Sequence, residues 1–228
     1  MSDYRIEYTS LSSEWKTTSI LSELPVPGSR GFVTLVERLQ PFGLTAQGIS
    51  LQTPTNNLND VRLDLALLDP RVTISIGYSH ITLTTGEIYE GDVNSILQIL
   101  RSVFGTMAVI DPKIEEGKGT TRVSLQLSLL DEQVEDFLAR YAKKQEGDVT
   151  ITPDAAAFVV NCDEISRQAR TRIVLAMSLH YANAIFCEIT WEYESGTVGK
   201  PIEFLNQLAD SGLGVLSVFD LHQSEGGK

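Results

Sequence analysis

The feature that most constrains the fold is the run across residues 61–104: alternating strand patterns followed by one amphipathic helix. Leu63, Leu65 and Leu67 share one face at period two, and Asp69-Pro70 then supplies a turn. Val72, Ile74 and Ile76 alternate with Thr73 and Ser75, and Ile81 and Leu83 alternate with Thr82 and Thr84. That alternation predicts an antiparallel meander with one wet face and one buried face. Asp92 is placed to cap a helix whose stripe is Ile96, Leu97, Ile99, Leu100, Val103 and Phe104, with Gly105 as its end. Such a stripe must be buried, and the adjacent sheet is the nearest apolar surface.

The same grammar recurs later in the chain. Val123, Leu125, Leu127 and Leu129 alternate over a strand, and Asp131 is placed to cap a helix with the stripe Val134, Phe137, Leu138 and Tyr141. Acids at Asp131, Glu132, Glu135 and Asp136 precede Lys143 and Lys144, an order that complements a helix dipole. Residues 172–179 and 184–193 predict a hairpin, Pro201 opens a helix carrying Phe204, Leu205 and Leu208, and residues 215–219 predict a last strand. Residues 149–151 and 156–160 are further short strand candidates.

Arg62-x-x-Leu65-Ala66 is echoed by Arg172-x-x-Leu175-Ala176. A duplication would produce that echo, and so would two unrelated meanders. The expected fold class is α+β: antiparallel sheets with helices packed on one side, in two joined and pseudo-repeated halves. Residues 1–30, rich in Ser and Thr and closed by Pro25-Val26-Pro27-Gly28, predict an extended N-terminal arm docked through Trp15, Ile20, Leu21 and Leu24. Residues 31–111 form the first half, with short strands at 31–39 and 48–51. Residues 112–121, charged and Gly-rich, form a linker. Residues 122–223 form the second half, and residues 224–228 a disordered tail.

Composition removes several function classes. With 228 residues and 42% of them hydrophobic, the chain can build a sizeable core. Its formal net charge is −12 and its pI about 4.7, which disfavours phosphate-backbone and anionic-membrane binding. Neither nucleic acid nor membrane is an expected partner. Two cysteines, Cys162 and Cys187, make no disulfide framework, and both sit in apolar runs. Residues 1–7 lack a signal-peptide core and no uninterrupted apolar run reaches membrane-spanning length, so a cytoplasmic protein is expected.

No reaction class finds its parts. Gly117-Lys118-Gly119-Thr120 lacks the leading Gly of a phosphate loop, and Gly199-Lys200-Pro201 has Pro where the hydroxyl belongs. His80, His180 and His222 have no neighbours at metal-ligand spacing. Cys162 precedes Asp163 and Glu164, whose charges oppose a thiolate, and no Gly-x-Ser-x-Gly elbow is present. No catalytic residue, metal ligand or cofactor is therefore assigned. Two features remain. Arg167, Arg170 and Arg172 gather three guanidinium groups suited to an anion, or to pairing with Glu164, Glu188 or Glu192. Trp191 and Tyr193 share one strand face, serving as core if buried and as interface anchors if exposed.

The end of the chain resembles a sporadically distributed family of uncharacterised bacterial proteins. The matching runs are residues 185–193, 201–209 and 215–221 with Phe219, and residues 71–104 look similar too. The family strand carries Asp where this chain has Glu188 and Thr190, and the N-terminal third shows no match. The resemblance implies a bacterial or phage accessory protein and brings no catalytic residues. The expected function is a non-enzymatic accessory, assembly or immunity-type subunit whose partner is another protein or itself. One alternative is a ligand binder or enzyme whose site converges only in three dimensions, from Arg167, Arg170, Arg172, His180 and Glu188. A second is a phage-type structural subunit.

Overall fold

The computed structural model describes residues 1–53, 60–89, 91–140, 158–162, 169–193 and 219–224. Among them the fold is α+β. Its elements are β1 (Ser2–Thr17), α1 (Arg30–Leu39), β2 (Ile49–Gln52), β3 (Arg62–Leu67), β4 (Val72–Gly77), β5 (His80–Thr85), α2 (Asp92–Ile110), β6 (Gly117–Leu129), α3 (Val134–Ala139), β7 (Phe158–Cys162), β8 (Ala169–Met177), β9 (Ala184–Tyr193) and β10 (Leu221–Gln223). The chain divides into two compact units: Ser10–Thr121 with Glu192–Gln207, and Met1–Thr9 with Arg122–Trp191 and Leu208–Lys228. The long strands β1 and β6 each give one segment to either unit.

In the unit built on Ser10–Thr121 the strands run in the order β2-β3-β4-β5-β1, each pair antiparallel, with β6 next to β1. The predicted meander is there in its predicted phase. Leu63, Leu65, Leu67, Val72, Ile74, Ile76, Ile81 and Leu83 are all buried. The register lines up Leu63, Ile76, Ile81 and Trp15 as one row across four strands, because residues directly opposite each other share a face. Trp15 is the β1 member of that row. Its ring meets Phe104 of α2 edge to face at 6.1 Å, and its indole N–H donates to the Ile114 carbonyl at 2.8 Å. The opposite face carries the polar row Asp64, Ser75, Thr82 and Glu14.

Helix α2 buries the predicted stripe and adds Thr106 and Met107. By length and composition α2 could cross a membrane. Its outer face, however, presents Asn94, Gln98 and Arg101, a costly set to place in lipid. The helix does not stop at Gly105 but runs to Ile110, ahead of Pro112. Gly105 lies where the Arg38 side chain of α1 passes on its way to the Thr106 hydroxyl, 3.2 Å away. Nor is Asp92 the cap: Gly91 holds that position. Asp92 instead takes a forked pair of hydrogen bonds from Arg71 and one from the Tyr89 N–H at 3.0 Å.

One sequence expectation gives way here, and the expected arm and linker prove to be partly regular structure. Residues 31–39 are helical, not extended. Ser29 caps α1 by accepting from the Phe32 N–H at 3.1 Å, and Leu35 and Leu39 recur four apart on the buried side. The N-terminal arm is a sheet strand for most of its length. In β1 the buried positions are Ser2 and Tyr4, then Leu11, Ser13 and Trp15, so the alternation changes phase midway and small hydroxyls take core-facing places. Of the four docking residues, Trp15, Leu21 and Leu24 are buried, whereas Ile20 is exposed. The linker at 112–121 holds a 3-10 turn (Pro112–Glu115) and the start of β6. Its Gly117 is a packing residue, because a Cβ there would lie 2.4 Å from the Lys16 carbonyl and 2.8 Å from the Trp15 indole.

In the unit holding Arg122–Trp191 the order is β1-β6-β9-β8-β7, with β10 parallel to β1. Val123, Leu125, Leu127 and Leu129 are buried as their alternation predicts, and β8 and β9 form the predicted hairpin. Helix α3 buries Val134, Phe137 and Leu138 but is not capped by Asp131. Asn183, at the hairpin turn with φ 50°, accepts from the Val134 N–H at 3.0 Å and donates to the Leu129 and Glu132 carbonyls. Asp131 accepts from the Asp3 N–H instead, at 3.0 Å.

The described residues give no support to repeated halves. The Arg62 echo lies in β3 between β2 and β4, and the Arg172 echo in β8 between β7 and β9. The helix expected from Pro201, the strand candidate at 149–151, residues 215–218 and the tail 225–228 lie outside the described residues.

Candidate functional site

The site begins with an uncharged stretch. Between Arg38 and Asp60 the chain has twenty-one residues, 39–59, with no Asp, Glu, Lys or Arg, although charged residues make up 21% of the whole. Within it a 3-10 turn (Ala46–Gly48) delivers the chain into β2. Gly48 makes the approach to β3 close: a Cβ there would lie 2.8 Å from the Ala66 carbonyl oxygen. Strand β2 then pairs antiparallel with β3, matching Ile49 with Leu65, Ser50 with Asp64, Leu51 with Leu63 and Gln52 with Arg62.

That register places Ile49 and Leu51 on the buried face of the meander. The row Leu63, Ile76, Ile81 and Trp15 is at most 2% exposed, yet Leu51, the next member outward, is 37% exposed. The core face thus runs out at β2 with an apolar side chain still open to water. Ser50 and Gln52 face the other way, are exposed, and share a hydrogen bond at 3.0 Å from the Gln52 amide to the Ser50 hydroxyl. Among the described residues β2 pairs with β3 alone and ends the strand order. Its outer rim of N–H and C=O groups is a template for another strand. Natural edges are usually guarded by Lys, Pro or an inward charge, and none of these occurs within β2.

The residues singled out in the sequence do not converge into a second site. Arg167 lies outside the described residues. Arg170 and Arg172 are in β8, where Arg172 is exposed and opposite Asn161 of β7, and the Arg170 side chain lies outside the description. Glu188 is engaged by Arg122 at 3.6 Å. His180 is exposed at the β8–β9 turn, where its N–H donates to the Ser178 hydroxyl at 3.1 Å. Trp191 is 2% exposed in β9, so its bulk is core, and Tyr193 closes that strand with its side chain outside the description. Among the described residues no three His, Cys, Asp or Glu side chains are grouped to hold a metal ion.

Two buried groups are held in their neutral forms. Burial, then the neighbouring Glu188 charge, pushes the Cys187 thiol up to about 12. Burial, then nearby Cys187, pushes the Tyr4 hydroxyl up to about 12. Both are poor nucleophiles at neutral pH. A scan of the chain against protein-family models matches none, and a search of curated proteins gives no match.

Sequence reasoning placed a short strand at 48–51, where β2 (Ile49–Gln52) stands, but not its place at the sheet edge, because four residues are too short for a periodic signal. The signal that could have found it is the charge-free interval at 39–59 in an otherwise acidic chain.

Proposed function

We propose that this chain is a non-enzymatic interaction protein, an accessory, assembly or immunity-type subunit of the cytoplasm, which engages a protein partner by strand pairing along β2. One observation carries the reading: Leu51 is left 37% exposed at the end of an otherwise closed core row, on an edge strand with no charge to guard it. Strand addition to such an edge supplies main-chain hydrogen bonds and a place for alternate apolar side chains. The acidic balance of −12 also favours a protein partner over a phosphate-bearing one.

The test uses the backbone. Successive residues of an antiparallel edge aim their N–H groups alternately inward and outward. Of Ser50→Pro and Leu51→Pro, the one that removes an outward N–H keeps its bonds to β3 and stays folded. That folded variant is expected to lose the partner that wild-type protein retains in a tagged pull-down read by mass spectrometry. Undiminished capture would remove β2 as the binding edge.

A further inference from the structure

We infer that the partner of β2 is β2 of a second copy of this chain, paired antiparallel about a two-fold axis through Ser50. The inference rests on the strand-pairing reading above and specifies its occupant.

Charge is the first argument. Two copies each carrying −12 repel at most approaches, and the pairing surface that avoids direct opposition of acids is the one without charge. The described residues 39–53, β2 among them, carry no charge.

Symmetry is the second. A two-fold axis perpendicular to the sheet pairs a strand with itself antiparallel and maps each face onto the same face of the other copy. Centred on Ser50, it sets Ile49 opposite Leu51 of the second copy, and Leu51 opposite the second Ile49. The core row Trp15, Ile81, Ile76, Leu63, Leu51 then passes into the second molecule as Ile49, Leu65, Ile74 and Leu83. The half-open Leu51 becomes an interior member of a continuous apolar face. On the polar side Ser50 meets Ser50, two small hydroxyls that fit a close pair. Four residues make a small contact, so the dimer is weak and concentration-dependent.

Sedimentation velocity from micromolar to millimolar protein tests this. Wild-type protein is expected to shift from monomer to dimer as concentration rises. Ser50→Lys is expected to remain monomeric with an unchanged melting temperature, because two Lys side chains would face each other across the axis while each still lies beside its own Asp64. Mixing Ser50→Lys with Ser50→Glu is expected to restore a dimer that neither variant forms alone. A wild-type protein that stays monomeric throughout overturns the inference, as does a dimer that persists in Ser50→Lys. Failure of the mixture to associate overturns the Ser50-centred register. If the wild type is monomeric but the folded proline variant still loses a different protein, self-pairing fails and the strand-pairing reading stands. If neither association is found, both fail.

Discussion

At the scale of single residues, buried polar groups hold the molecule to specific chemistry. Asp111 is buried and accepts from the Ser22 N–H at 2.7 Å, the Ser22 hydroxyl at 2.8 Å and the Lys113 N–H at 3.0 Å. These bonds, the Ser22 N–H foremost, hold its carboxyl below the usual carboxylate range. A depressed folded-state pKa contributes stability above the unfolded value of about 3.9, and that contribution fades as pH falls through the folded value. Asp111→Asn turns one acceptor into a donor that faces another donor, so a loss of about 1–3 kcal/mol is expected at neutral pH. Denaturant titrations at stepwise lower pH are expected to show that difference shrinking below pH of about 4. A constant difference would mean that the carboxylate charge plays no part. Cys187 gives a kinetic readout. With its thiol buried and pushed up to about 12, a Cys162→Ser protein is expected to react with a thiol reagent at pH 8 only after denaturant unfolds it. Immediate labelling of the native protein would contradict the buried position in β9.

At the scale of elements, helix ends and glycines carry the information. Helix α3 has six residues and no capping side chain of its own, so Asn183 from the β8–β9 turn performs that task across 49 positions of chain. Asn183→Ala removes the acceptor for Val134 and both donors to Leu129 and Glu132, and it puts Ala at φ 50°. Chemical denaturation is expected to show a loss of about 2 kcal/mol or more. Asn183→Asp keeps the acceptor and is expected to fall between. Gly105 sits on the exposed side of α2, and a Cβ there would make an ordinary 3.5 Å contact with the Arg38 guanidinium. Gly105→Ala is therefore expected to stabilise the protein by about 0.5–1 kcal/mol, read as a raised melting temperature. A destabilised variant would show that Arg38 has no room to yield. The sequence reading took this glycine for a helix end, which is the usual meaning of Gly after an apolar stripe. The continued burial of Thr106 and Met107 is what carries α2 past it.

At the scale of the whole molecule, net charge sets how copies meet. If β2 joins two chains of −12, their long-range repulsion opposes association even though the contact itself is uncharged. Raising ionic strength from low salt to about 0.5 M shortens the screening length to a few ångströms and is expected to strengthen the dimer in sedimentation. A dimer weakened by salt would instead point to an ion-paired interface elsewhere on the surface. Amino-acid pattern alone determined the meander of β3, β4 and β5, the stripe of α2, the alternation of β6 and the β8–β9 hairpin, because each has one wet side and one dry side and therefore leaves a period in the sequence. Only tertiary structure could decide the rest. Ser13 faces the core because Thr121 offers its hydroxyl at 3.0 Å, Gly117 is required because Trp15 packs against it, and Asn183 caps a helix it is far from in sequence. Leu51 is an edge residue because no described strand lies beyond β2. None of these has a local signature, since each depends on a neighbour that the fold, and not the chain, brings near.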